Sequence, residues 1–131
     1  MRCIACTLLV VVASARWAAS EFQPPIRCPS GEGLVEGQPA IYSGLYEAEF
    51  ESSSFKMSHH PCEVWLTGDV CPIFGKGRCT KEARIRADIT VEGVLSPSGQ
   101  FGHMGLWERE LRVTRVTKVE RLKRKRDGEV R

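Results

Sequence analysis

The sequence predicts an all-β chain, a small antiparallel barrel of about five strands, with a small β-sandwich as the other arrangement open to it. Three observations lead there. Apolar and polar residues alternate with period two in several β-branched and aromatic runs, clusters of Gly, Pro and Ser separate those runs, and no apolar stripe of helical period extends beyond two turns. A chain of 131 residues, 42% hydrophobic and 27% charged, has room for one modest core and is too apolar to be wholly disordered.

The elements follow in order. Residues 1–20 read as a secretory signal peptide: Arg2 opens a short positive region, residues 3–15 are apolar, and Ala18, Ala19 and Ser20 place small residues before Glu21. That apolar run falls short of the roughly 20 residues a membrane-spanning helix needs, so no transmembrane segment is expected after cleavage. Residues 21–43, with Pro24, Pro25 and Pro29, form an extended lead-in. Residues 44–120 make the barrel domain. Within 44–55, Tyr46, Ala48 and Phe50 share one face and Glu47, Glu49 and Glu51 the other, the pattern of one half-buried strand. Residues 63–67 are a second strand, closed by the turn pair Gly68-Asp69. Residues 83–95 alternate most cleanly, with Ile85, Ala87, Ile89 and Val91 on one face. A turn-rich loop over 96–105 leads to a last strand over 111–122, in which Leu111 and Val113 are out of phase with Val116 and Leu122; a β-bulge near Thr114 to Val116 restores the phase. Strands of this number and length suit a barrel of the OB type best.

Charge divides along the chain. The full sequence carries a formal +3, but residues 21–117 hold 10 basic and 13 acidic groups, whereas residues 118–131 hold 7 basic and 3 acidic. The body is mildly acidic, and residues 121–131 are a basic, flexible tail able to meet anionic envelope polymers electrostatically. Arginine outnumbers lysine 13 to 6 and asparagine is absent, as in proteins of GC-rich bacterial genomes. The expected location is periplasmic or secreted.

Four cysteines remain beyond the leader, Cys28, Cys62, Cys71 and Cys79. An even number in a short exported chain implies disulfides, because oxidising compartments let them persist. Three pairings are open; Pro72, Gly75 and Gly77 favour a compact loop bridged by Cys71 and Cys79, leaving Cys28 with Cys62. A zinc site is the rival, with His59 and His60 beside Cys62, but the gaps of 33, 8 and 7 residues between cysteines lack the usual close pairs.

Catalytic patterns are missing. The sequence has no Gly-x-Ser-x-Gly elbow, no phosphate-binding glycine loop followed by Lys and Ser or Thr, and no His-Glu-x-x-His helix. No enzymatic activity and no cofactor are expected. The candidate binding loop comprises Phe101, His103, Met104 and Trp107, because glycines on both sides of His103-Met104 let the backbone turn tightly. Most other aromatics alternate with apolar neighbours as core residues do, and export adds to the case against nucleic acid.

Several segments resemble an uncharacterised family of small exported bacterial proteins with an OB-like β-barrel domain. They are Gly44-Leu-Tyr46, Phe50-Glu-Ser-Ser-Ser-Phe55, Pro61-Cys62 with Trp65, Gly93-Val-Leu-Ser-Pro-Ser-Gly-Gln-Phe-Gly-His-Met-Gly105, and Arg109-Glu-Leu-Arg-Val113. The resemblance implies the fold and the compartment and brings no catalytic residues; the segment from Cys71 to Cys79 and the basic tail depart from it. The function expected is a monomeric, non-catalytic binding or accessory module of the bacterial envelope. Its partner would be an envelope protein or an anionic envelope polymer. Two other readings stand beside it: a disulfide-stabilised inhibitor of an exported protease or lysozyme, and a periplasmic metal-binding protein using His59, His60 and His103.

Overall fold

The structure is a computed structural model that describes residues 24–31, 33–75 and 84–122. The expected leader, Cys79 with its bridge to Cys71, and the tail from residue 123 lie outside the described residues. Five strands, β1 (Pro39–Glu49), β2 (Ser52–Met57), β3 (Glu63–Gly68), β4 (Ile85–Leu95) and β5 (Glu110–Arg121), close into a ring in the order β1-β2-β3-β5-β4. This is the all-β, OB-like barrel that the alternation predicts. The sheet is mixed, not wholly antiparallel: β3 and β5 run parallel, with Trp65 opposite Glu110 and Gly68 opposite Val113. Sequence alternation is blind to this, because a strand buries the same face whichever way its neighbour runs.

Each strand turns its apolar face into the ring. Tyr46, Phe55, Val64, Leu66, Val91 and Leu111 are among the buried side chains that fill it. Ile73, on a short 3-10 turn (Cys71–Phe74) after β3, is fully buried and packs into the same core. Burying one side chain of this size contributes about 1.5–3 kcal/mol, so the core supplies the main driving force. Around Gly44, β1 begins to pair with β2 while still paired with β4. A Cβ there would lie 2.0 Å from the Lys56 carbonyl oxygen, so only glycine lets the two backbones cross so closely.

Two local expectations are corrected. The run 44–55 is not one strand but a hairpin: it folds back at Phe50-Glu51, so Phe50 is 73% exposed at the tip while Phe55 is buried on the returning strand. The lead-in also ends earlier than residue 43, because β1 begins at Pro39. The expected bulge in the last strand is present, at Thr114, and a second, unexpected one follows at Thr117. Register shifts fall between Thr90/Val91 and Glu92/Gly93, leaving Thr117 and Thr114 as extra residues on β5. Each spends its hydroxyl on the strand opposite: Thr114 donates to the Glu92 carbonyl and Thr117 to the Thr90 carbonyl, both at 3.1 Å. The bulges keep Leu111, Val113, Val116 and Val119 on one face, opposite Leu95, Gly93, Val91 and Ile89.

Candidate functional site

The lead-in is not a loose strap. The Ile26 amide donates to the Leu106 carbonyl, the Glu108 amide to the Ile26 carbonyl and the Glu63 amide to the Arg27 carbonyl. The Cys28–Cys62 disulfide, the pairing left after the compact loop, fastens it to the start of β3. Beneath it lies Arg109, 3% exposed. Its guanidinium donates to the Cys28 carbonyl at 2.8 Å, the Ser96 carbonyl at 3.1 Å and Ser30 Oγ at 2.9 Å, and pairs with Glu36. No motif in the sequence marks Arg109, although Trp107, Arg109, Leu111 and Val113 share one parity. A charged residue in the apolar phase was the available signal.

Glu108 completes this junction from the other side. Its carboxylate accepts the Cys28 amide at 2.9 Å and the Ser98 hydroxyl at 3.1 Å. The Cys28 amide chiefly, helped by Ser98 and the positive charges of Arg27 and Arg109, holds the carboxyl below its usual range against a smaller opposing effect of burial. A carboxyl depressed in the folded state stabilises the fold above the unfolded value of about 4.3, and that contribution is lost as pH falls through the lower folded value. Glu108→Gln is therefore expected to be less stable than the parent at about pH 7, with the gap narrowing toward about pH 3. Urea unfolding at the two pH values checks this; a gap that does not narrow would refute it.

The connection from β4 to β5 folds back as a small ribbon. The Ser96 amide donates to the Glu110 carbonyl at 2.8 Å and the Gly99 amide to the Glu108 carbonyl at 2.8 Å, while Phe101 and Trp107 exchange both backbone bonds. The ribbon lies on the outer surface of the ring against Trp65, whose indole meets that of Trp107 with centroids 4.7 Å apart. Gly102 makes this approach feasible: φ is +73°, and a Cβ would come within 2.5 Å of the Trp65 ring and 2.9 Å of the Trp107 ring. Trp107 is 5% exposed, so it supports the candidate loop from beneath and is not part of its outer surface. Its Nε1 is the one buried side-chain polar atom among the described residues with no hydrogen-bond partner.

At the ribbon tip a short 3-10 turn (His103–Gly105) reaches the β1-β2 hairpin, and His103 Nε2 lies 3.4 Å from Glu51 Oε2. Among the described residues, Glu51 and Met104 are the non-glycine residues with positive φ, both at 59°. Such backbone costs free energy and persists where the surroundings impose it, often at functional sites. Two large apolar side chains stand next in sequence to Glu51 and His103, Phe50 at 73% and Met104 at 79% exposure. Of the four predicted loop residues, His103 and Met104 reach the surface, Phe101 is half-buried and Trp107 is buried. Phe50 and Glu51, the other half of the junction, alternate in the sequence as strand residues do and lie instead at the hairpin tip.

Beside this junction a cavity of about 560 Å³ opens where β2 and β3 part. Tyr46, Trp65 and Phe74 bring aromatic surface to it, and Glu49 and Glu51 bring carboxylates. Burial raises the Tyr46 phenol above its usual range, opposed by its bond to Ser53. A second cleft of about 280 Å³ lies on the outer face, walled by Ile26, Leu106 and Trp107.

No family model, curated protein or solved structure matches the chain. Among the described residues, no group of three His, Cys, Asp or Glu side chains is placed to hold a metal ion. His103 faces Glu51, and His60 lies against Gly33. Among the described residues, no helix is long and apolar enough to cross a membrane.

Proposed function

We propose that this protein is an exported, non-catalytic binding module of the bacterial cell envelope, with its contact surface at the junction of the β1-β2 hairpin and the β4-β5 ribbon. One observation carries the reading. Two tips meet through Glu51 and His103, both bear strained non-glycine backbone, and both present a large exposed apolar side chain. Exposed apolar residues clustered on rigid, strained tips are characteristic of recognition surfaces. OB-type barrels commonly use the β2-β3 face and these two loops for binding. Export is supported by the leader-like first 20 residues and by the Cys28–Cys62 disulfide, which belongs to an oxidising compartment.

The test is affinity capture from the envelope fraction of the source cells, using the mature chain and the double variant Phe50→Ser/Met104→Ser. The parent is expected to retain a specific envelope component. The variant should lose at least about tenfold of that retention with an unchanged unfolding midpoint, as when central apolar contacts are removed. Equal retention by both, or none above control, overturns the reading.

A further inference from the structure

We infer that the cavity between β2 and β3 takes an organic cation, a guanidinium or ammonium group carried on an apolar stem; this rests on the binding-module reading and specifies its ligand chemistry. The argument begins with protons. The Ser53 hydroxyl donates to the Leu66 carbonyl at 2.8 Å, so the Tyr46 hydroxyl, 3.1 Å from Ser53 Oγ, must donate to it. Thr67 donates to Glu110 at 2.7 Å. Three of the four lining hydroxyls have thus committed their protons inside the protein, Ser52 being the fourth, and what they offer a ligand is lone pairs.

The two carboxylates, Glu49 and Glu51, are acceptors as well, and no Lys or Arg is among the described residues lining the cavity. A wall of acceptors selects a donor-rich guest, and carboxylates make a charged donor the strongest one. Around them stand Tyr46, Trp65 and Phe74, whose ring faces attract cations and whose carbon surface suits an apolar stem. The volume of about 560 Å³ lies within the range of small-molecule pockets. The side chains now beside these carboxylates are exposed and hold them weakly: Arg84 lies 3.8 Å from Glu49, and the His103 ring 3.4 Å from Glu51.

The test titrates the isotopically labelled protein with benzylammonium against benzyl alcohol, and with acetyl-Phe-Arg-amide against its citrulline counterpart, following amide chemical shifts. Saturable shifts at Tyr46, Ser53, Leu66 and Phe74 are expected for the cations, with the neutral partners at least about tenfold weaker. Glu49→Gln/Glu51→Gln should weaken cation binding by about tenfold or more. Should that variant misfold, added salt acting on the parent serves instead, weakening the cations and sparing the neutral probes. Tighter binding of the peptide identifies a basic polypeptide as the source of the cation, and tighter binding of the amine identifies a small metabolite. Equal binding of charged and neutral probes, no saturation, or indifference to both the variant and salt overturns the inference. If these fail while envelope capture still depends on Phe50 and Met104, only the ligand chemistry falls.

Discussion

Arg109→Met is expected to cost about 3 kcal/mol or more of folding stability, a large part of what a domain of this size possesses. The loss has little to do with the ion pair to Glu36, whose side chain is half exposed. It comes from the Cys28 and Ser96 carbonyls, which receive the guanidinium in a buried site and would be left without a donor. Methionine fills much of the volume, so the deficit reads hydrogen bonding more than packing. Arg109→Lys keeps the charge but not the planar fork that reaches four acceptors at once, and should fall between the two. Urea unfolding with the Cys28–Cys62 disulfide intact measures the series; a methionine variant within about 1 kcal/mol of the parent would sink the assignment.

The second large effect is expected from Cys28→Ala/Cys62→Ala. The bridge spans 34 residues, for which the chain-entropy relation gives about 4 kcal/mol. Both half-cystines are buried, at 0% and 3% exposure, so alanine also leaves unfilled space. The lead-in should be the first part to loosen, visible as faster hydrogen exchange at the amides of Ile26, Cys28 and Glu108. A variant that unfolds at the parent's urea midpoint would contradict the prediction.

How much of this was legible beforehand depends on which interactions decide each feature. The strand over 85–95 was plain because Ile85, Ala87, Ile89 and Val91 alternate with polar residues, a property of one strand alone. The last strand was legible in outline. Val113, Val116 and Val119, three apart, fall out of strand phase until a bulge between each pair returns them to one face. The hairpin at Phe50-Glu51 was not legible, because its turn uses a glutamate at positive φ and an exposed phenylalanine, neither of which announces a turn. The parallel β3-β5 seam depends on which strands become neighbours, which no local pattern encodes. For the candidate site, the glycines around His103-Met104 marked a tight turn, and a short 3-10 turn is what forms there. What that loop touches, Trp65 below and Glu51 at its tip, is set by tertiary packing alone.

The strand order also dictates how the chain must come together. β5 is last in sequence but sits between β3 and β4, so the wall stays open until the C-terminal strand arrives. The lead-in, first of the described residues, is anchored by bonds spanning 80 and 81 residues, from Cys28 to Glu108 and to Arg109. Contacts of such long range slow folding, because the loops they close must be ordered before the contacts reward it. Without β5 the other four strands form an open sheet in the order β3-β2-β1-β4. Ring and strap therefore share one requirement, the arrival of β5 with the segment just before it, and neither is complete without those residues.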